Sequence, residues 1–341
     1  MKISPSSSFP LSEFMAGVPL SEEEKTGQGD YLAYCHGNGK TFGEYYVSLI
    51  ADYFGVSWDW TVDRLHRLTI YLRAYTVVDD DVRDVPRFKH ESSLRMLRQY
   101  FLEMAWIEAR RLLSRDINAT RIFETELDRY HLTSDLYSMW HSEGTSYPVD
   151  VSYTEKYADR MATIRIPFLL LGLQPRGERF LTRGLRGIES FMRALQVLDD
   201  LVDWEEDLRE GRITYPTVCY LATLPITEAE EISRCVVRSE SEDIENTIRT
   251  LSRKPPYHRI VWEQLEFAYQ ILNEATIDLG RGLGSSLSSM AVDIRERVDW
   301  VRSGHVISGT PCIKQDELIV RLKHSGAAPK RSHRERGTDA G

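Results

Sequence analysis

Residues 77–84 read VVDDDVRD and follow the apolar, aromatic stretch TIYLRAYT. Four carboxylates within six residues repel one another, and a buried helix tolerates them only if something neutralises them. A solvated loop is one answer and a bound cation is another. A second acidic run favours the cation: residues 196–216 read QVLDDLVDWEEDLREGRITYP. Asp80, Asp81 and Asp84 form a DDxxD pattern, and so do Asp199, Asp200 and Asp203, with Asp207 four residues further on. Positions three and four apart share a helix face, so each triplet is expected to point its carboxylates one way. Hard cations such as Mg²⁺ take carboxylate oxygens together with water and substrate phosphate. Two such clusters could clamp a metal-bound diphosphate between helices.

The elements that must position these acids read as helices. FGEYYVSLIADYF, VDRLHRLTIYLRAYTVV and SSLRMLRQYFLEMAWIEARRLL carry apolar residues at three- and four-residue spacing. So do IFETELDRYHLTSDLYSMW, EKYADRMATIRIPFLLLGL and LRGIESFMRALQVLDDLVDWEEDL. Shorter helices are expected at Glu228–Val237 and Ile244–Leu251, a longer one over IVWEQLEFAYQILNEATIDLGRGL, and a last one at Leu287–Val301. No run alternates convincingly as a strand, and no repeat of 20–50 residues is visible. The expectation is an all-α fold of roughly ten helices in a single domain. The Ser-, Pro- and Gly-containing residues 1–30 are expected to be poorly ordered, the helical domain to span 31–303, and residues 304–341 to form a basic, disordered tail.

Composition bounds the partners. The chain has 341 residues and a net charge of −9, so no general basic field would hold a nucleic acid. An anionic substrate would need a local device, either converging Arg and Lys or metal ions. The four cysteines show no CxxC spacing, which argues against a zinc knuckle or a disulfide framework and fits a reducing cytoplasm. IPFLLLGL, the longest apolar run, is far short of the ~20 residues a spanning helix needs, and no signal peptide is read at the start. Asp63-x-x-His66 and Asp128-x-x-His131 have the spacing that Glu-x-x-His uses in di-iron bundles, but with Asp in place of Glu and without obvious bridging glutamates.

On its two acidic motifs the sequence resembles the class I isoprenoid synthases, the all-α superfamily of trans-prenyltransferases and terpene cyclases. Gln196-x-x-Asp199-Asp200-x-x-Asp203 is similar to the second motif of trans-prenyl diphosphate synthases. The close spacing of Asp203 and Asp207, followed by Gly211-Arg212 and Pro216, is nearer to the squalene and phytoene synthase version. The resemblance implies a helical bundle around a central active-site cavity, three Mg²⁺ ions and a linear prenyl diphosphate substrate. Asp80, Asp81 and Asp84 would then bind metal from one wall, and Asp199, Asp200, Asp203 and Asp207 from the other. Lys156, Arg160, Arg165 and Arg212 are the candidate diphosphate donors. Tyr75 and Phe168 lead the candidates for the cavity wall, with Tyr71, Trp140 and Phe191 behind them, where aromatic faces would stabilise a carbocation without attacking it.

The chain also departs from the family. Gly39-Lys40 and the sparse Arg83, Arg87 and Lys89 are the nearest equivalents of the basic segments that hold isopentenyl diphosphate in chain-elongating members. The Asn-Ser-Glu metal triad of many cyclases is absent, since the second motif is all carboxylate. A prenyltransferase scaffold that has lost its acceptor site suggests terpene cyclisation, and prenyl transfer to an acceptor is the alternative. Homodimers are usual in the superfamily, and the residues themselves carry no further signal about assembly.

Overall fold

A computed structural model describes residues 9–280 except 57–59, 85–87, 89–90, 113–116, 144–158, 174–177, 210, 212, 239–240 and 252–254. The side chains of some helical residues, Asp84, Asp199 and Asp203 among them, are also outside the description. The described residues are all-helical and contain no strand. The order is α1 (Leu11–Ala16), α2 (Glu22–Gly27), α3 (Gly29–Phe54), α4 (Trp60–Asp84), α5 (Ser92–Leu112) and α6 (Ile117–Glu143). A 3₁₀ turn (Asp159–Met161) then leads into α7 (Ala162–Gly172). After it come α8 (Glu178–Arg209), α9 (Tyr215–Leu221), α10 (Ile226–Arg238), α11 (Ser241–Leu251) and α12 (Pro255–Leu279).

The long helices contain the stretches of apolar periodicity, but α3 starts at Gly29, well before the expected Phe42, and α8 at Glu178, before the expected Leu185. Gly55 closes α3 with φ 66°, a left-handed conformation that a side chain would strain, and its N–H caps the last turn. Helix α4 packs against α3 on one side and α5 on the other, while α8 pairs with α12. Helix α7 packs on both α4 and α8 and so joins the two helices that carry the acidic runs. Pro167 inside α7 cannot donate a backbone N–H, and near it the Tyr46 hydroxyl donates to the Ile164 carbonyl at 2.8 Å.

The buried apolar residues form two clusters. The larger gathers α1 and α3–α8 with α12 and includes Leu68, Ile70, Phe101, Ile166 and Met192. The smaller one lies around the end of α8 and helices α9–α12 and includes Leu208, Ile213, Tyr220, Val236 and Ile248.

The opening residues depart from the expectation of poor order. From Phe9 on they form α1 and α2, and Phe9, Phe14, Val18 and Leu20 are buried in the larger core. Phe14 stacks on Phe101 and Tyr71 at centroid distances of 5.1 and 5.8 Å. Ser21 caps α2 in a reciprocal box with Glu24. That Ser-x-x-Glu spacing was a legible start signal, masked by the surrounding Ser, Pro and Gly. The boundary expected at residue 31 falls inside α3. The helix expected at Leu287–Val301 and the tail from 304 lie outside the described residues.

Candidate functional site

Helix α4 carries VVDDDVRD in its last two turns, and its acids meet different surroundings. Asp79 is fully buried. It takes the Nε of Arg83 at 2.8 Å on one oxygen and an ion pair from Arg98 of α5 on the other. Arg83 also pairs with Asp135 of α6, and its neighbouring carboxylates raise its pKa against the opposing effect of burial. Two arginines and two aspartates thus form a chain of ion pairs, Arg98–Asp79–Arg83–Asp135, with Asp79 at its buried centre. The cost of burying Asp79 is met by protein cations, with no metal required at that residue.

Asp80 and Asp81 differ from Asp79. The Asp80 side chain is 41% exposed, and both of its hydrogen bonds fall on Oδ1. One comes from the Tyr130 hydroxyl of α6 at 3.2 Å and the other from Arg160 Nη2 at 3.4 Å. Asp81 accepts from the Tyr31 hydroxyl of α3 at 2.6 Å through Oδ2. Burial drives the pKa of both phenols well above the ordinary tyrosine range, and the adjacent carboxylates push the same way, so both tyrosines act as donors. Burial and the Asp81 charge also lift the Cys35 thiol to about 12, which leaves it inert.

Among the described candidate diphosphate donors, Arg160 is brought to an acid of the first motif, Asp80. It sits in the 3₁₀ turn before α7, and Lys156 and Arg212 lie outside the described residues. Arg165 is used differently. Its buried guanidinium bonds Glu126 at 2.7 Å, Glu189 at 2.9 Å and Asp159 at 3.0 Å, tying α6, α8 and the 3₁₀ turn to α7. Burial raises the Glu126 pKa, outweighing the pull of Arg165 and Arg129. Arg165 also lines an open cleft of about 660 Å³ with Arg129, Arg186, Glu189, Arg193 and Asp278, and among the described side chains no Asp of either acidic motif lines it.

In the second run, Asp200 is buried. Its Oδ1 accepts from the Gln196 amide at 3.2 Å, and its Oδ2 accepts from the backbone N–H of Tyr215 at 3.3 Å, the first residue of α9. The glutamine of the Qxx-DDxxD pattern therefore orients the second acid of that pattern. Asp207 is also buried, beside Leu208 of the smaller core. The side chains of Asp84, Asp199 and Asp203 lie outside the described residues. Among the described residues no three acid, His or Cys side chains converge on one point.

The aromatic candidates are core residues. Phe168 is fully buried against Phe54 and Tyr53, at centroid distances of 4.8 and 5.7 Å. Tyr75 is fully buried as well, and its hydroxyl is hydrogen-bonded to Nε2 of His131. Tyr71 and Phe191 are buried in the same cluster, and the Trp140 side chain lies outside the described residues. His131 thus binds a phenol. Sequence reasoning missed Tyr31, Tyr130, Arg98 and the separate role of Asp79. Tyr130 stands next to the Asp-x-x-His pair that had drawn notice, and nothing in its spacing points across to Asp80. No protein-family model matches the chain, and no curated protein matches it.

Proposed function

We propose that this protein is a Mg²⁺-dependent class I terpene synthase, which ionises a linear prenyl diphosphate between its two acidic motifs and cyclises the resulting carbocation with release of diphosphate. One observation carries the reading: Arg160 meets Asp80, 80 residues away in sequence, at the exposed edge of the first acidic run. A donor suited to a leaving diphosphate stands beside a carboxylate suited to a metal. The donor set fits the cation, because Asp80 and Asp81 offer hard oxygen ligands of the kind Mg²⁺ takes together with substrate phosphate. When bound, Mg²⁺ supplies Lewis-acid stabilisation of the charge that develops on the leaving group.

The chain's own residues would supply the rest. Asp80 and Asp81 hold the cation from α4, with Asp84 on the same helix. Asp199, Asp200 and Asp203 face this task from α8, where Gln196 fixes Asp200. Arg160 neutralises Asp80 at rest and donates to the diphosphate when substrate arrives. The apolar interior between α4, α7 and α8, where Tyr75 and Phe168 are packed as core residues, would be the side that keeps water from the cation. Of the candidate isopentenyl diphosphate contacts, Arg83 is taken up by Asp79 and Asp135, and Arg87 and Lys89 lie outside the described residues. Gly39, in the Gly39-Lys40 pair, lies against the α4 backbone, where an added Cβ would sit 2.8 Å from the Ile70 carbonyl oxygen.

The test is a product assay with purified protein and Mg²⁺, supplying prenyl diphosphates of ten, fifteen, twenty and twenty-five carbons separately, each with and without isopentenyl diphosphate. A cyclic hydrocarbon or alcohol made without isopentenyl diphosphate is the expected result. A longer diphosphate formed only with it would instead make the protein a chain-elongating prenyltransferase. Asp81→Asn and Asp200→Asn should each abolish Mg²⁺-dependent turnover with the helical circular dichroism unchanged. Asn at 200 keeps a carbonyl oxygen for the Tyr215 N–H, so lost turnover there would not reflect a lost cap. Full activity in both variants would end the assignment.

A further inference from the structure

We propose that Tyr31 and Tyr130 are positioning residues for the first acidic motif, each fixing one carboxylate so that it meets a divalent cation in a set orientation. This inference rests on the terpene synthase reading. Consecutive residues on a helix point about 100° apart, so no single neighbour can orient both Asp80 and Asp81. The fold provides one phenol for each, from different helices: Tyr31 of α3 for Asp81 at 2.6 Å and Tyr130 of α6 for Asp80 at 3.2 Å.

Three adjacent aspartates on one turn repel each other, and an aspartate side chain left alone turns to relieve that repulsion. Asp79 is withdrawn from the competition by its buried pairing with Arg83 and Arg98. A phenol donor on one oxygen removes the remaining rotation of Asp80 and of Asp81. At Asp80 both bonds fall on Oδ1 while two-fifths of the side chain is exposed, so the residue is anchored on one side and open on the other. Tyr130 is itself almost fully buried, which holds its ring in place against Tyr75 at a centroid distance of 5.9 Å. Partners that orient ligands in this way change metal affinity by ~10- to 100-fold when removed.

The experiment measures Mn²⁺ binding to the full-length protein in the presence of inorganic diphosphate, followed by electron paramagnetic resonance. Tyr31→Phe and Tyr130→Phe should each weaken Mn²⁺ by ~10-fold or more, with circular dichroism and melting temperature close to wild type. Tyr46→Phe is the control, since that buried hydroxyl donates to the Ile164 carbonyl, and it should leave the affinity unchanged. Wild-type affinity in both test variants would overturn the proposal while leaving the terpene synthase reading standing. Equal weakening by Tyr46→Phe would overturn it too, by tracing the effect to packing. Wild-type protein that binds no Mn²⁺ would overturn this inference and the function beneath it together. If Tyr130→Phe fails to fold, Tyr31→Phe, at a half-buried position, decides the matter alone.

Discussion

At the scale of single residues, the run VVDDDVRD divides its labour. Asp79 is the buried acid, and its charge is balanced within the protein by Arg83 and Arg98. Removing one partner of a buried charge network leaves the others uncompensated. Asp79→Ala should therefore destabilise the fold by about 3 kcal/mol, the lower end of the range for such losses because Arg98 is one-third exposed. Urea denaturation would measure it, and a change within about 0.5 kcal/mol, as for an ordinary surface substitution, would contradict the account. Asp80→Ala, at the exposed neighbour, should cost much less stability. The two adjacent acids thus separate a buried structural role at Asp79 from the exposed position that the proposed metal site would use at Asp80.

Among the elements, α3 packs closely along the helix that carries the first acidic run. Gly39 lets the two helices approach until a Cβ there would sit 2.8 Å from the Ile70 carbonyl oxygen and 3.0 Å from its Cα. Backbone cannot swing aside as a long side chain can. Gly39→Ala should therefore destabilise by about 1–3 kcal/mol of overpacking, less the ~1 kcal/mol that Ala gains over Gly in a helix. The midpoint of thermal unfolding reads this, and a stabilised variant would show that the helices are not held this close. Helix α1 belongs to the same layer, because Phe14 fills a space between Phe101 and Tyr71. This first helix therefore packs on α4, the helix that carries the first acidic run, and on α5.

For the whole molecule, pH should report on the interior beneath the acidic run. Burial lowers the His131 pKa below its ordinary 6.5, with Asp79 and Asp135 opposing and Arg83 and Arg98 reinforcing the shift. As pH falls below about 6.5 the unfolded chain takes up this proton before the folded one does, so stability declines toward the folded pKa. Glu126 has the opposite sign: its raised carboxyl pKa favours the fold as pH falls toward 4.5. Comparing wild type with His131→Asn in urea at pH 7.5 and pH 6 isolates the histidine. The loss of stability on acidification should be smaller in the variant, and equal losses would place the sensitivity elsewhere. Among the described residues no helix is long and apolar enough to cross a membrane.

The sequence by itself determined the helical class and the approximate extents of the long helices, because apolar spacing at three and four residues is a local property. It also marked the two acidic runs, since four carboxylates after an apolar stretch conflict with local preference wherever they are placed. Only the tertiary structure decided which acid is buried and which is exposed. Asp79, Asp80 and Asp81 are the same residue type at adjacent positions, and their environments are set by Arg98, Tyr130 and Tyr31 on three other helices. It likewise separated Arg160, which reaches Asp80, from Arg165, which is bound by three carboxylates. The early helices escaped composition-based reading because Ser, Pro and Gly suggest loops, whereas the burial of Phe9 and Phe14 depends on partners at Tyr71 and Phe101. Local pattern fixes which segments coil. Contacts between residues far apart in the chain fix what each charge meets, and those contacts exist only once the helices are packed.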